Sequence, residues 1–214
     1  NRKGGGPALD ATPIERFPTF TSNVDGAGNA ALEFTGGLTG LGFEHEITTQ
    51  SYSVISVVRP AITDNSSHPV FGHEDSGSSG VKNLLQSTNN GATSRFGIRH
   101  NAESGFVTAY TPYAVLAPTP TALWYSYEGE KQTLIAGVAN ANIGNETAAN
   151  SVPPPDARTD WAICGAGGGA FFPGAWMATI ILDRPIYNED EASAINAHRK
   201  FLITATDPAF GAVL

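Results

Sequence analysis

Residues 173–202, PGAWMATIILDRPIYNEDEASAINAHRKFL, read as a strand, a tight polar junction and one short helix. Trp176 to Leu182 is rich in apolar and β-branched residues, as a buried strand requires. Asn188 is suited to cap a helix, and Glu191 stands three residues later in the capping-box position. Glu189, Asp190 and Glu191 fall at the positive end of the helix dipole, and His198, Arg199 and Lys200 at the negative end. No other stretch reads as a convincing helix. The expected architecture is a β protein that closes with a single capped helix.

Composition agrees. The chain has 214 residues, enough for one large β domain. Gly 24 and Pro 14 with only 15% charged residues suit many short strands joined by turns, and 41% hydrophobic residues are too many for a disordered chain. The formal net charge of -8 repels phosphate backbones, which argues against nucleic acid as a partner. No apolar run reaches the ~20 residues of a membrane-spanning helix. No secretion signal is visible, and a first residue of Asn1 points to a processed product or a piece of a longer chain.

Cys164 is the single cysteine, so neither an internal disulfide nor a thiolate zinc cluster is expected. Its setting, WAICGAGGG, predicts a plain buried residue.

Residues 1–28 mix Gly and Pro with isolated apolar positions. They read as an extended arm or linker carrying Arg2 and Lys3 and pinned by Phe17 and Phe20. Such an arm is either a partly ordered terminus or a segment that docks on a neighbouring subunit. The sandwich domain is expected over 29–214. Strands are predicted at Ala30–Phe34, Tyr52–Val58, Val70–Gly72, Asn83–Gln86, Ser94–His100 and Phe106–Tyr110. Others follow at Ala122–Tyr127, Gln132–Val138, Ala141–Gly144, Trp161–Cys164 and Trp176–Leu182. Asn90-Gly91 marks one turn, and Gly129 marks the tip of a hairpin. About ten strands over some 170 residues fit a two-sheet antiparallel sandwich.

Four segments in order then carry a family likeness: ALEFTGG (31–37), YSVISVVRP (52–60), ALWYSYEGEKQTLIAGV (122–138) and the closing 173–202. The chain resembles the concanavalin A-like lectin/glucanase superfamily. Within it the likeness is to the laminin-G-like jelly rolls of phage virion and bacterial surface proteins. The hairpin departs from the usual Y-D-G turn, with Tyr127-Glu128-Gly129 in its place. The resemblance implies an all-β jelly-roll sandwich with one short C-terminal helix. The matched positions are core and turn residues, and this fold hosts glycosidases, lyases, lectins and structural modules alike.

Catalytic patterns are wanting. Glucanases of the superfamily place three carboxylates on one strand face as E-x-D-x-x-E. Glu44 and Glu46 have spacing two but lack the third acid, and Glu128 and Glu130 flank a turn. His68, His73, Glu74 and Asp75 are the densest polar cluster but lack metal-ligand spacing. Gly165–Gly169 lacks the Lys and Ser/Thr of a phosphate loop, and no G-x-S-x-G elbow is present. Neither a metal nor a cofactor is expected.

Sugar recognition needs an aromatic platform and hydrogen-bonding side chains. Tyr110, Tyr113, Tyr125 and Tyr127 offer the rings and Asn142 an amide, with Trp124, Asn140 and Asn145 as further options. Alternation puts Trp124 and Ser126 on one strand face and Tyr125 and Tyr127 on the other, and one of those faces is expected in the core. The expected function is a non-catalytic module of a large assembly. A phage virion is the leading setting, as a capsid decoration or tail/fibre head domain with lectin-like glycan binding. Its partners would be other virion subunits through the arm, cell-surface glycans and other copies of itself, without nucleic acid or membrane insertion. The alternatives are a carbohydrate-binding module of a secreted or surface protein, and a divergent glycoside hydrolase or lyase.

Overall fold

The computed structural model describes residues 11–13, 18–21, 30–35, 41–44, 51–61, 67–74, 81–90, 93–102, 105–110, 120–139, 146–149, 160–164, 172–188, 190–195 and 197. Within these residues run fourteen strands. They are β1 (Ala11–Pro13), β2 (Thr19–Thr21), β3 (Ala31–Thr35), β4 (Leu41–Glu44), β5 (Tyr52–Pro60), β6 (Ser67–Glu74) and β7 (Val81–Asn90). After them come β8 (Thr93–Ala102), β9 (Gly105–Tyr110), β10 (Thr121–Glu128), β11 (Thr133–Ala139), β12 (Glu146–Ala148), β13 (Asp160–Ile163) and β14 (Pro173–Leu182). One helix, α1, covers 190–195, with 197 also helical.

The strands form two seven-stranded sheets, ordered β1-β4-β13-β6-β7-β8-β9 and β12-β11-β10-β5-β14-β3-β2. Every strand pairing among the described residues is antiparallel; Asn90 pairs with Thr93 across the predicted Asn-Gly turn, and Glu128 with Thr133 across the Gly129 hairpin. The all-β jelly-roll sandwich with one short helix is therefore the fold.

The inter-sheet core takes alternate residues from each sheet, as a sandwich requires. The second sheet contributes Tyr52, Val54 and Val58 from β5, and Leu123, Tyr125 and Tyr127 from β10. The first sheet answers with Phe71, Phe96, Ile98 and Ala109. Tyr52 sets its ring edge-on to Tyr125, with centroids 6.0 Å apart and planes at 87°, a favoured aromatic geometry.

The opposite face of the second sheet is buried as well. Ile55, Val57, Ala122 and Trp124 pack there against Ile186, Ala192 and Ile195 of the α1 segment. Full burial of an aliphatic side chain such as Ile55 contributes about 1.5–3 kcal/mol. The helix is thus a third layer. The expectation that one face of β10 is core becomes a finding that both are.

A bulge at Met177, between Trp176 and Ala178, makes the two-faced packing of β14 work. It keeps Trp176 and Thr179 on one face, where Trp176 Nε1 donates to Thr179 Oγ1 at 3.0 Å. Met177 meets the clusters on the other face. Cys164 is buried, with φ 56°, and its N–H donates to Val70 O at 2.8 Å. Burial raises its thiol pKa well above the ordinary value.

The arm expected over 1–28 is corrected in two places. Ala11–Pro13 pairs with β4 and Thr19–Thr21 with β3, so both are edge strands and the sandwich begins before residue 29. Three-residue strands are too short to show a period in sequence. Phe20, expected in the arm, belongs to β2 and is 59% exposed. Arg2, Lys3 and Phe17 lie outside the described residues, as does the strand expected at Ala141–Gly144.

Candidate functional site: two tyrosine platforms

The sequence offered four tyrosines as platforms. Tyr125 and Tyr127 are fully buried in the inter-sheet core, so neither gives a ring face to a ligand in solvent. This corrects their assignment: alternation in β10 is real, but helix packing covers one face and the first sheet covers the other. Burial also pushes the Tyr127 phenol pKa up. Tyr113 and Asn142 lie outside the described residues, with Asn140 and Asn145.

Tyr110 sits differently. It is only half-buried and pairs with Gly97 across β8 and β9. Neighbouring Ala109 and Ile98 point into the core, so Tyr110 and Gly97 lie on the outer face of the first sheet. One edge of the ring crowds the glycine: a β-carbon on Gly97 would come within 2.3 Å of Tyr110 Cδ1 and 2.6 Å of Cε1. Thr108, two residues back and partly exposed, shares this face. Register aligns Pro69, Gln86, Gly97 and Tyr110 in one row across β6 to β9. The helix layer belongs to the other sheet. A partly exposed aromatic on the outer face of a sheet can stack on the C–H face of a sugar ring.

The second platform was not foreseen. Tyr187, 51% exposed, is with Phe20 one of the exposed large hydrophobic residues among those described. It stands just before α1, where the capping pattern drew attention to the acids and away from the ring. Lys131 Nζ lies 5.9 Å from its centroid, and its hydroxyl stands 3.5 Å from Glu128 Oε1. Lys131 Nζ also bridges Glu128 Oε1 at 2.8 Å, and this hydrogen bond raises the ammonium pKa. Glu128, considered above as one of a carboxylate pair, is thus held by a lysine at the hairpin tip.

The backbone under Tyr187 is fixed on both sides. The Ile186 N–H donates to buried Ser126 Oγ at 2.9 Å, and the Tyr187 N–H donates to Glu191 Oε2 at 3.3 Å. The predicted cap forms, with the Glu191 N–H donating to Asn188 Oδ1 at 2.9 Å. Glu191 reaches back to Tyr187 rather than to Asn188 and also pairs with Arg184. Ser53 Oγ completes the anchor, donating its proton to Arg184 O at 2.8 Å and standing 3.1 Å from Ser126 Oγ.

A third polar group lies farther along the second sheet. Arg59 Nη2 bridges Glu33 Oε1 at 3.1 Å, and Thr21 Oγ1 donates to Glu33 Oε2 at 2.9 Å. Of the cluster around His68, that residue lies in β6 and Asp75 falls outside the described residues.

No family model matches the chain, and no curated protein matches it. Solved structures do. The chain is similar to the CBM40 of the Ruminococcus gnavus IT-sialidase at 14% identity and TM-score 0.59, covering 77% of this chain and 95% of that one. It is similar to domain 4 of AbnA, a GH43 extracellular arabinanase from Geobacillus stearothermophilus, in complex with arabinotriose. That match has 12% identity and TM-score 0.63, with 87% of each chain covered. It is also similar to the enzymatically active domain of tailspike protein 2 of bacteriophage CBA120, at 10% identity and TM-score 0.64, covering 88% of this chain and 30% of that one. At these identities the shared property is the sandwich fold.

Proposed function

We propose that this chain is a non-catalytic glycan-binding module carried by a larger extracellular assembly. The observation that carries the reading is Tyr110, partly exposed and packed against Gly97 on the outer face of the first sheet. Its ring supplies the stacking surface, and Thr108 on the same face supplies a hydroxyl.

The fold likeness to a sialidase CBM40, and to an arabinanase domain in complex with arabinotriose, supports the sugar ligand. The likeness to a tailspike domain supports a phage virion as the assembly, in the laminin-G-like style of tail, fibre or capsid decoration modules. An accessory module of a secreted enzyme is the second reading, favoured by the arabinanase domain. The non-catalytic reading is supported by Glu33, Glu128 and Glu191, each of which engages a cation rather than a second carboxylate.

A glycan array with the wild-type chain and Tyr110→Ala tests the reading. Expected is selective binding that the substitution weakens, with no reducing ends released from the bound glycans. Silence across the array overturns it, and binding indifferent to Tyr110→Ala overturns Tyr110 as the platform. Released reducing ends overturn the non-catalytic part.

A further inference from the structure

We infer that Tyr187, Glu128 and Lys131 form a second sugar-contact site, selective for neutral rings, at the hairpin end of the second sheet. The inference rests on the glycan-binding reading but uses none of the residues that carry it. Tyr110 lies on the outer face of the first sheet, whereas Tyr187 leads into the helix that covers the outer face of the second. The module is then bivalent, with sites on opposite layers.

Three observations build the site. The ring is available, since Tyr187 is 51% exposed. Its polar partners are placed, with Glu128 and Lys131 joined at 2.8 Å and both within reach of the ring. A sugar stacked on Tyr187 can donate hydroxyls to the Glu128 carboxylate and accept from the Lys131 ammonium. The frame is rigid as well. Ser126 fixes Ile186, Glu191 fixes Tyr187, and the turn under Lys131 is tied by the Gly129 N–H to Ser51 Oγ at 3.0 Å and the Gln132 N–H to Gly129 O at 3.2 Å. Preorganisation of this kind lowers the cost of binding.

Charge selects the ligand class. This end of the sheet carries Glu128, Glu130, Asp183, Asp190 and Glu191 against Lys131 and Arg184. The excess of carboxylates repels sialates and uronates and leaves neutral sugars favoured.

The test titrates the isotope-labelled full chain with neutral trisaccharides of glucose, galactose, N-acetylglucosamine and arabinose, and with sialyllactose. Amide shifts are followed by NMR. Expected are shifts at Gly129, Lys131 and Tyr187 with a neutral sugar, weaker ones with sialyllactose, and affinity reduced about tenfold in Tyr187→Ala but kept in Tyr187→Phe. Shifts confined to Gly97 and Tyr110 overturn the second site and leave the glycan-binding reading standing. Shifts confined to Tyr187 support the second site and overturn the sheet-face platform. No shifts with any sugar overturn both.

Discussion

Ser126 Oγ accepts the Ile186 backbone N–H at 2.9 Å, deep between the second sheet and the helix layer. One hydroxyl thereby fixes where the chain leaves β14 and enters α1. Ser126→Ala leaves a buried donor without its acceptor and removes the partner of Ser53. The expected loss is about 1–3 kcal/mol of unfolding free energy. Urea denaturation checks it: the midpoint should fall while the slope stays as in wild type.

Gly97 and Gly174 should respond differently to the same added methyl. At Gly97 the new Cβ clashes with the Tyr110 ring, which is partly exposed and can swing aside, and its nearest backbone contact, Ala109 O at 3.2 Å, asks for a shift of only a few tenths of an ångström. Gly97→Ala should therefore change stability by less than about 1 kcal/mol, because alanine also recovers strand propensity. It should weaken glycan binding at the Tyr110 platform by displacing the ring. At Gly174 the φ is +147°, and the Cβ would stand 2.4 Å from the Arg59 carbonyl oxygen, which the sheet holds. Gly174→Ala should cost at least about 1–3 kcal/mol. Thermal melts of both variants with a binding assay on Gly97→Ala make the comparison; equal destabilisation contradicts it.

Much of the fold was legible because its signals are local. The run 52–60 and the hairpin around Gly129 announce themselves by composition and turn chemistry, and Asn188 and Glu191 by spacing. The short edge strands β1 and β2 were not legible, since three residues carry no period. The platform assignments failed at Tyr125 and Tyr127 for a tertiary reason. A strand packed on both faces shows the same aromatic alternation as one with a free face, and only the helix over Trp124 distinguishes them. Trp124 itself leaves its buried Nε1 without a hydrogen-bond partner, so it serves as packing surface. Tyr187 was hidden by its own neighbours, whose acids had a sufficient explanation in helix capping. The signal that could have found it is a lone aromatic between a buried isoleucine and an N-cap, opposite a charged hairpin tip.

Removing the Arg59–Glu33 bridge should matter little. Both side chains are partly exposed, at 28% and 38%, so water and salt screen the pair. Arg59→Ala is expected to cost no more than about 1 kcal/mol, and less at high ionic strength. Denaturation curves at low and high salt check this; a larger, salt-independent loss would mean that the arginine acts through packing of its alkyl stem.

Cys164 should give the fold an alkaline weakness. The thiol is fully buried, and desolvation raises its pKa well above that of an exposed cysteine. Above about pH 8.5 an unfolded chain releases the thiol proton while the folded chain keeps it. The unfolded state then binds fewer protons, so stability falls as pH rises, by at most about 1.4 kcal/mol per unit. Below that pH the contribution is fully present. The raised Tyr127 phenol adds a similar loss only above about pH 10, which leaves a window between the two. Urea denaturation from pH 8 upward should show the decline in wild type and a flatter profile in Cys164→Ala, although the variant starts lower because it leaves a small cavity. The same burial predicts that iodoacetamide modifies Cys164 at the rate of unfolding. Matching pH slopes for wild type and variant, or rapid alkylation of the native chain, would sink this account.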